Sequence, residues 1–358
     1  MIIESFKNLN EVDERIKINL GNNDFINLIN LVTGLYHPLN GFCNSEDVNN
    51  ILFHKKISKK KNWTIPIILS LKSKQKIILK KFYRLQYKNK IVGLIKPNDL
   101  FQINKKKFCK KIFSTLSNKH PYVKFINNTN NLFIGGKVFL LKKFLPKDKL
   151  IPKYKSEVRN IKNSVIFSTR NVCHLGHQKI HEYVLKKKKR LVIAIIINDK
   201  NKFNPDLIVK SYMHLKKKLS LYKNINIIKI LLPSFFAGPN EAYLQATCFN
   251  NLGFKGFVVG RDHAGHKKFF KKYVSQKIFN DLNDLKIKIF KTKEPYICSR
   301  CLKVGFRLID ICNCKNTKNY LSLDGKTVKK LLNKKRFKNL EKFLNPYIFS
   351  FLKKKYKK

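Results

Sequence analysis

A chain of 358 residues can bury one large hydrophobic core or two or three smaller ones. Its composition, 43% hydrophobic with 12% aromatic residues, is typical of a folded protein and excludes a disordered chain. The 77 Lys and Arg against 21 Asp and Glu give a net charge of +56, which alone would indicate nucleic-acid binding. Only nine of these residues are Arg, however, and the lysines are spread over the whole length beside much Asn, Ile and Phe. We interpret the charge as drift in the base composition of the coding sequence, so we do not expect nucleic acid as a partner.

The sequence shows no membrane or secretory signal. Residues 1–5 have no basic region followed by a long apolar stretch, and the longest aliphatic run, Leu191 to Ile197, is too short to cross a bilayer. Eight cysteines in a long chain without a secretory signal are typical of a reducing compartment. We therefore predict a cytoplasmic protein without membrane association.

The first 150 residues carry the pattern of a small β-rich domain. Asn44 or Ser45 is suited to cap a short helix that begins near Glu46. Runs rich in β-branched and aromatic residues follow at 63–71, 76–83, 91–95 and 132–144. The pair Gly135-Gly136 inside the last run predicts a bulge or tight bend.

Beyond a linker at 145–155 the pattern changes to alternating strands and helices. Apolar strand candidates lie at 164–167, 191–197, 225–232, 256–260 and 286–290, separated by segments long enough for helices. This alternation predicts a parallel, doubly wound sheet, in which ligands bind at the carboxyl ends of the strands. The turns after the first and fourth strand candidates should therefore share one crevice.

The last part of the chain, from Ser322, is predicted to form small helices. The spacing of Val328, Leu331 and Leu332 predicts one helix, and that of Leu340 and Leu344 predicts a second. Pro346 is predicted to end or kink the second helix, and residues 353–358 to form a frayed basic end.

Residues Ser168–His177 are the stretch around which the chain is organised. They lie between a buried strand and a helix, where amide groups at the helix N-terminus favour anions. Two histidines three residues apart, an arginine and an asparagine suit a site for phosphate or another oxyanion. A lone His-x-x-His would be weak evidence, since surface histidines are common. Here four of nine His and two of nine Arg fall in two short motifs, 168–177 and 260–266, which favours a functional site.

These motifs resemble those of the ATP sulfurylase (sulfate adenylyltransferase) family. Residues 169–177 are similar to its T-R-N-P-x-H-x-x-H motif, and Gly260-Arg-Asp-His-Ala-Gly265 looks like its G-R-D-H-A-G motif. Weaker resemblances, in family order, cover most of the rest of the chain: 37–42 to S-P-L-x-G-F, 63–66 to W-P-I-P, 236–242 to Y-A-G-P-R-E-A and 323–329 to I-S-G-T-x-x-R.

The resemblance implies an α/β fold in three parts. A PUA-like, β-rich N-terminal domain would span 1–152, and a Rossmann-like nucleotidyltransferase domain with a parallel sheet would span 153–318. A small helical C-terminal part would span 319–358. The implied reaction converts ATP and sulfate to adenosine 5′-phosphosulfate and diphosphate, or runs in reverse to make ATP, with Mg²⁺ accompanying the nucleotide. We also expect self-association, as is common in the family.

The resemblance also assigns roles to residues. Those implied in catalysis are Thr169, Arg170, Asn171, His174 and His177. Those implied in binding ATP are Ser168, Gly260, Arg261, Asp262 and His263. Those implied in binding sulfate are Ser168, Arg170 and Ala264.

Some positions depart from the family pattern. Ser168 stands where the family has Gln, Val172 where it has Pro, and Phe236 where it has Tyr. His266 replaces a Pro, and the 323–329 segment is degraded. Since both motif histidines, Arg170, Asn171 and Arg261 are present, we predict an active enzyme with weakened affinity for sulfate.

Cys298-x-x-Cys301 and Cys312-x-Cys314 form a second constellation. Two thiol pairs within 17 residues provide the four ligands of a structural Zn²⁺ site. Some family members carry a zinc loop in this region, closed by a later His rather than by C-x-C. Chance cysteines or a redox C-x-x-C are the alternatives, and the zinc interpretation is preferred.

Two rival functions remain open. One is another HxGH adenylyltransferase or a fragment of a class I aminoacyl-tRNA synthetase, although such proteins lack G-R-D-H-A-G and this chain has no K-M-S-K-S-like stretch. The other is a non-catalytic protein that binds RNA through the PUA-like domain. No P-loop motif is found, so an added kinase domain is not expected.

Overall fold

The computed structural model describes residues 1–5, 12–57, 61–72, 76–187, 190–198, 203–266, 269–314 and 316–357. These residues form two compact units. The first unit comprises Met1–Asn160, Leu231–Gly253 and Asp262–Lys288, and the second comprises Ile161–Ile230, Phe254–Arg261 and Ile289–Lys358. Both units are interleaved along the chain, and the domain boundaries drawn above from the sequence stay predictions. Within the described ranges, no helix combines the length and apolar character needed to cross a membrane.

The N-terminal portion of the first unit is a β-sheet with helices at its connections. Its strands are β1 (Ile2–Ile3), β2 (Val12–Asn19), β3 (Gly41–Phe42), β4 (Lys56–Ile57), β5 (Lys61–Asn62), β6 (Leu69–Ser70), β7 (Phe82–Tyr87), β8 (Lys90–Phe101) and β9 (Phe133–Leu141). Its helices are α1 (Asn22–Val32), α2 (Ser45–His54), α3 (Lys105–Phe113) and α4 (Pro121–Asn128).

Seven of these strands form one sheet of order β1-β9-β8-β7-β2, with β3 and β6 also paired to β9. The other two, β4 and β5, pair with each other in a separate sheet. The register between β8 and β9 shifts between Pro97 and Asp99, opposite Gly136 and Gly135. A Cβ on Gly136 would lie 2.3 Å from the Lys96 carbonyl oxygen, so this irregular crossing requires glycine. The predicted bulge at the glycine pair is therefore confirmed. The predicted cap is also confirmed, because the Asn44 side chain accepts from the Asp47 amide at the start of α2.

The rest of the chain alternates between helices and strands. Its strands are β10 (Val165–Thr169), β11 (Leu191–Ile197), β12 (Asn226–Leu231), β13 (Gly256–Val259), β14 (Lys288–Lys291), β15 (Pro295–Cys298), β16 (Val304–Phe306) and β17 (Tyr320–Ser322). Its helices are α5 (Leu175–Lys186), α6 (Pro205–Lys218), α7 (Pro239–Leu252), α8 (Val274–Asp281), α9 (Gly325–Asn333), α10 (Phe337–Glu341) and α11 (Pro346–Lys357).

A five-stranded sheet of order β12-β11-β10-β13-β14 is the centre of the second unit. The middle strand β10 runs parallel to both neighbours, with Val165 opposite Leu191 on one side and Gly256 on the other. The carboxyl ends of β10 and β13 therefore emerge at the same edge of the sheet. This arrangement is the parallel sheet predicted from the alternating pattern.

One apolar core joins this sheet to the helices of the second unit. It contains buried residues of β10, β11, α5 and α6 together with residues of the C-terminal helices α9 and α11. Val328 and Leu332 of α9 are both fully buried, as their helical spacing predicts. The C-terminal helices thus belong to the core that supports the end of β10.

The prediction for Pro346 and the frayed end is wrong. Pro346 is the first residue of α11, and the helix continues to Lys357. The Asn345 side chain accepts from the Tyr347 amide at 3.0 Å, so it caps the helix. Proline is well suited to the first helical position, because its missing N–H would have no partner there within the helix. Leu344 lies between α10 and α11 rather than in the predicted helix.

A small antiparallel sheet of order β16-β15-β17 completes the second unit. Tyr296 of β15 pairs with Gly305 of β16 and with Ser322 of β17. The strand pattern was not predicted in this region, where the four clustered cysteines were the dominant signal.

Candidate active site

The turn after β10 leads directly into α5 and carries the first predicted motif. Thr169 is the last residue of the strand, and its hydroxyl accepts from the Asn171 amide at 3.0 Å. His174 is the N-cap of α5, but its side chain makes no capping hydrogen bond. The strand, turn and helix predicted from the sequence are therefore present, with the histidines at the helix N-terminus.

His174 and His177 form a close pair of buried imidazoles. Their ring centroids lie 3.9 Å apart, and the side chains are 3% and 9% exposed. Burial lowers the pKa of His174 to about 4. Burial also lowers the pKa of His177, and the repulsion that protonated His174 and His181 would exert lowers it further. The Nδ1 atom of His174 is buried without a hydrogen-bond partner. At neutral pH the two rings are uncharged hydrogen-bonding groups rather than cations.

Two tyrosines lie behind the histidines. The Tyr212 hydroxyl is 3.2 Å from Nδ1 of His177 and also interacts with the side chains of Thr169 and Cys173. Tyr222 makes the same type of contact with Nδ1 of a third helix histidine, His181, at 2.8 Å. Tyr212 thus connects both ends of the motif, and this contact is absent from the sequence-based prediction.

Cys173 is a core residue and not a reactive thiol. Its side chain is 1% exposed, and burial raises its pKa to about 12. Cys43, Cys109 and Cys248 are buried too. All four cysteines outside the C-terminal cluster are therefore core residues.

Asn171 lies against the start of α9. A Cβ on Gly325 would lie 2.2 Å from the Asn171 Cγ atom, so only glycine leaves room for this side chain. Gly325 is the glycine of the degraded 323–329 segment, which thereby acquires a role: it allows Asn171 to pack on the helix backbone.

Gly260 and Arg261 follow β13, beside the turn that follows β10. The parallel register of these strands brings both turns to one edge of the sheet. The Arg261 guanidinium forms an ion pair with Glu294, a residue that the sequence pattern did not single out. Ser168, Thr169, Arg170, Asn171, His174 and His177 belong to the same unit.

The remaining predicted residues, Asp262, His263 and Ala264, belong to the first unit. There, Nε2 of His263 is 2.9 Å from Oε1 of Gln245, while Nε2 of Gln245 donates to Glu241. Since the Gln245 amide already donates to the carboxylate, its oxygen accepts from His263, which fixes the proton on Nε2.

The Ala264 backbone connects two sequence motifs. Its φ is +56°, and its carbonyl accepts from the Gly238 amide at 3.2 Å. The 236–242 and 262–265 segments are therefore in contact within the first unit. The ligand-binding roles of all these residues stay predictions.

The four C-terminal cysteines form a compact cluster. The Sγ atoms of Cys298, Cys301, Cys312 and Cys314 all lie within 4.8 Å of one another. A tetrahedral Zn²⁺ with Zn–S bonds of about 2.3 Å would place its sulfurs close to this spacing. The donor set and its spacing fit a structural zinc ion.

Comparison with known proteins agrees with this architecture. A family model described as ATP-sulfurylase matches residues 153–354, more than half of the chain. The chain belongs to the ATP sulfurylase family. A model described as a PUA-like domain matches residues 4–143, which confirms the predicted type of N-terminal domain.

Curated relatives extend the match to ATP sulfurylases of several organisms. The sulfate adenylyltransferase of Pyrococcus abyssi is 29% identical over 301 residues, covering 82% of this chain and 79% of the relative. That of Carboxydothermus hydrogenoformans is 28% identical over 357 residues, covering 95% and 92%. The prediction of an enzyme of the nucleotidyltransferase class is confirmed at the level of the family.

A solved structure shows the same fold as this ATP sulfurylase family member. The chain described as "Hexameric APS kinase from Thiobacillus denitrificans" superposes with a TM-score of 0.68 at 13% identity. The match covers 97% of the present chain and 66% of that structure. At this identity the likeness concerns the fold alone.

Proposed function

We propose that the chain transfers the adenylyl group of MgATP to sulfate, producing adenosine 5′-phosphosulfate and diphosphate. The observation that carries the proposal is the buried pair His174–His177 at the start of α5, in a chain of the ATP sulfurylase family. A sulfate oxygen forms the new bond to the α-phosphorus. The bond from this phosphorus to the bridging oxygen breaks, and its electron pair leaves with diphosphate.

The chemistry requires positioning and charge stabilisation more than proton transfer. Sulfate carries no proton at neutral pH, so the site needs no general base for it. Negative charge builds on the leaving diphosphate, where the N-terminus of α5 and the imidazole N–H groups would stabilise it. Neutral histidines suit this task, because they can donate hydrogen bonds to the leaving diphosphate. Their lowered pKa values also make them weak bases, so they do not take up a proton during the reaction.

Tyr212 would orient His177 for this role. When the Tyr212 hydroxyl donates to Nδ1, the ring proton resides on Nε2, which is then a donor toward the phosphate oxygens. The burial of both residues holds the ring in one orientation. The tautomer of His177 is thus selected by a residue 35 positions further along the chain.

Arg170, Ser168 and the Ala264 amide are proposed to bind sulfate. A serine hydroxyl is shorter than the glutamine side chain of the family pattern and offers one donor instead of two. We expect Ser168→Gln to lower the Michaelis constant for sulfate, by about threefold for one recovered hydrogen bond. An unchanged constant, with kcat unchanged as well, would show that position 168 does not contact sulfate.

Two metals accompany the proposed activity. Mg²⁺ would arrive with ATP and neutralise phosphate charge. Zn²⁺ would be held by the four clustered cysteines and stabilise the β15–β17 sheet, away from any step of the reaction. All eight cysteines are free thiols, in keeping with the proposed cytoplasmic location.

The decisive test is an assay in both directions on the purified protein. Adenosine 5′-phosphosulfate formation from MgATP and sulfate is measured with a pyrophosphatase, and ATP formation from the phosphosulfate and diphosphate is measured by luminescence. Arg170→Ala should reduce both rates by about a hundredfold, whereas Lys179→Ala, in the helix that follows the turn, should not. A folded wild-type protein without turnover in either direction would reject the proposal.

We further propose that the chain self-associates. The support is the structural neighbour from Thiobacillus denitrificans, which is described as hexameric. Light scattering coupled to size-exclusion chromatography measures the mass directly, and a mass near 42.2 kDa at micromolar concentration would reject self-association.

A further inference from the structure

Glu294 is a buried carboxylate at the meeting point of the small sheet and the turn after β13. It directly precedes β15, is 7% exposed, and forms an ion pair with Arg261. The Ser322 hydroxyl, at the end of β17, donates to the same carboxylate at 2.7 Å. Nε of Arg307, which follows β16, lies 3.5 Å from the other oxygen. The ends of all three strands of the sheet therefore converge on one side chain.

Glu294 is charged despite its burial. Burial alone would raise its pKa, but the hydrogen bonds from Ser322 and Arg261 and the charges of Arg261 and Arg307 lower the pKa below its ordinary value. A buried carboxylate between two arginines fixes the guanidinium groups around it, because charge-assisted hydrogen bonds are directional and strong.

A continuous set of contacts leads from Glu294 to the cysteines. Arg307 donates to the Tyr320 carbonyl at 2.6 Å, and its amide donates to the Glu294 carbonyl at 2.8 Å. The Tyr320 ring stacks on Tyr296 with centroids 3.7 Å apart, and its hydroxyl accepts from the Cys312 amide at 3.1 Å.

The same small core contains the metal ligands themselves. Cys298 pairs with Tyr320 across β15 and β17, and Cys298 and Cys312 pack with Tyr296 and Tyr320. The cysteine cluster and the strand ends that hold Glu294 therefore share one set of packing and hydrogen-bond contacts.

We propose that Glu294 is a positioning residue that ties Arg261 to the four-cysteine cluster, so that Zn²⁺ held by the cysteines controls nucleotide affinity. The inference rests on the proposed function, in which Arg261 contacts the nucleotide. Without the ion, the segment 302–313 between Cys301 and Cys314 is no longer closed by the metal, β15 and β17 loosen, and the Glu294 carboxylate no longer holds the guanidinium. The link is reciprocal: nucleotide binding must tighten zinc retention by the same factor by which zinc tightens nucleotide binding.

Calorimetric titration with MgATP, without sulfate, tests the link independently of turnover. Two full-length proteins are titrated, the wild type and Glu294→Gln. Each is measured in two states: with stoichiometric Zn²⁺ bound, and after the zinc has been extracted and the chelator removed. We expect zinc removal to weaken MgATP binding to the wild type about tenfold. The Glu294→Gln substitution should weaken MgATP binding by a similar factor while zinc is bound. Zinc removal from Glu294→Gln should cause little further loss, because both changes break the same link.

Asp310→Asn is the matched control. The Asp310 side chain accepts from the Phe306 amide and pairs with Lys179, and neither contact is among those that join the cysteines to Arg261. The Asp310 backbone carbonyl accepts from the Tyr296 hydroxyl, and the substitution leaves that contact in place. This variant should keep both the MgATP affinity and its response to zinc. If Glu294→Gln fails to fold, Ser322→Ala removes one hydrogen bond from the carboxylate and should weaken MgATP binding about threefold.

Two results would overturn the proposal. One is an unchanged or tighter MgATP affinity in zinc-bound Glu294→Gln, and the other is a zinc effect as large in that variant as in the wild type. Zinc-bound wild type that binds MgATP with the expected couplings but forms no adenosine 5′-phosphosulfate would instead reject the proposed reaction and leave the link in place.

Discussion

Acid should destabilise the second unit, because its helix histidines are held neutral in the folded state. Burial lowers the pKa of His174 to about 4 and that of His181 to about 3. In the unfolded chain both would take up a proton below a pKa of about 6.5. Between pH 6.5 and 4 the unfolded state therefore binds more protons than the folded state, and the free energy of unfolding decreases as the pH falls.

The size of the effect follows from the width of this pH range. Each such histidine lowers the free energy of unfolding by about 1.4 kcal/mol per pH unit as the pH falls. The decrease between pH 6.5 and 5 is therefore about 2 kcal/mol for one histidine and about 4 kcal/mol for the two. Asp24 in the first unit has the opposite effect on the pH dependence of stability. Burial raises its pKa to about 6, so its protonation as the pH falls favours the folded state. Its gain of about 1 kcal/mol over the same range is smaller, so the histidines dominate.

Urea unfolding monitored by circular dichroism at pH 7, 6 and 5 measures the effect. His181→Asn removes one of the two side chains that take up a proton on unfolding. The loss of stability from pH 7 to 5 should therefore be smaller by about 2 kcal/mol than in the wild type. His54→Asn, the same substitution at the exposed last residue of α2, is measured as the control. Equal pH dependence in His181→Asn and wild type would refute the reasoning.

Three further substitutions test other contacts. Tyr212→Phe removes the hydrogen-bond partner of Nδ1 of His177 and should lower kcat about tenfold, with a smaller change in the Michaelis constant for ATP. Steady-state kinetics in which only the Michaelis constant for ATP changes would contradict a role in charge stabilisation. Gly325→Ala should displace Asn171 and reduce activity about a hundredfold while the thermal unfolding midpoint stays within a few degrees; full activity would mean that the Asn171 position is unimportant. Leu302→Gly should stabilise the zinc-bound protein by about 0.5 kcal/mol in thermal unfolding, because this exposed leucine has a φ of +58°. A lower midpoint in that variant would show that the Leu302 side chain contributes to stability.

The parallel sheet was the most predictable part of the fold. Its three central strands, β10, β11 and β13, are mostly buried on both faces, so they appear in the sequence as largely apolar runs with clear ends. The run 191–197 was predicted with the bounds that β11 has in the structure.

Helices with buried polar residues were not predicted. In α1, Asn27 and Asn30 are both buried and interrupt the apolar pattern. Their partners are distant in sequence: Tyr36 donates to Asn27, and Asn30 donates to the Leu231 carbonyl. Such positions are explained only by the tertiary contacts that satisfy them.

The candidate site, too, contains residues that the sequence predicts and residues that only the structure reveals. The motif residues 168–177 and 260–265 were located from their residue types and their place after apolar runs. Tyr212 and Glu294 were missed because each is a single common residue inside an unremarkable segment. They gain significance only when folding brings them against His177 and Arg261.

The central place of β10 also has a consequence for biosynthesis. Val165 pairs with Leu191 on one side, but its other partner, Gly256, is made 91 residues later than Val165. Until then a nascent chain exposes one side of an apolar strand, a state that is prone to aggregation and that slows folding through a long loop closure. The turn proposed to bind phosphate is thus synthesised early but acquires its neighbour Arg261 late, so a chaperone that covers residues 165–169 during this interval should raise the yield of folded enzyme.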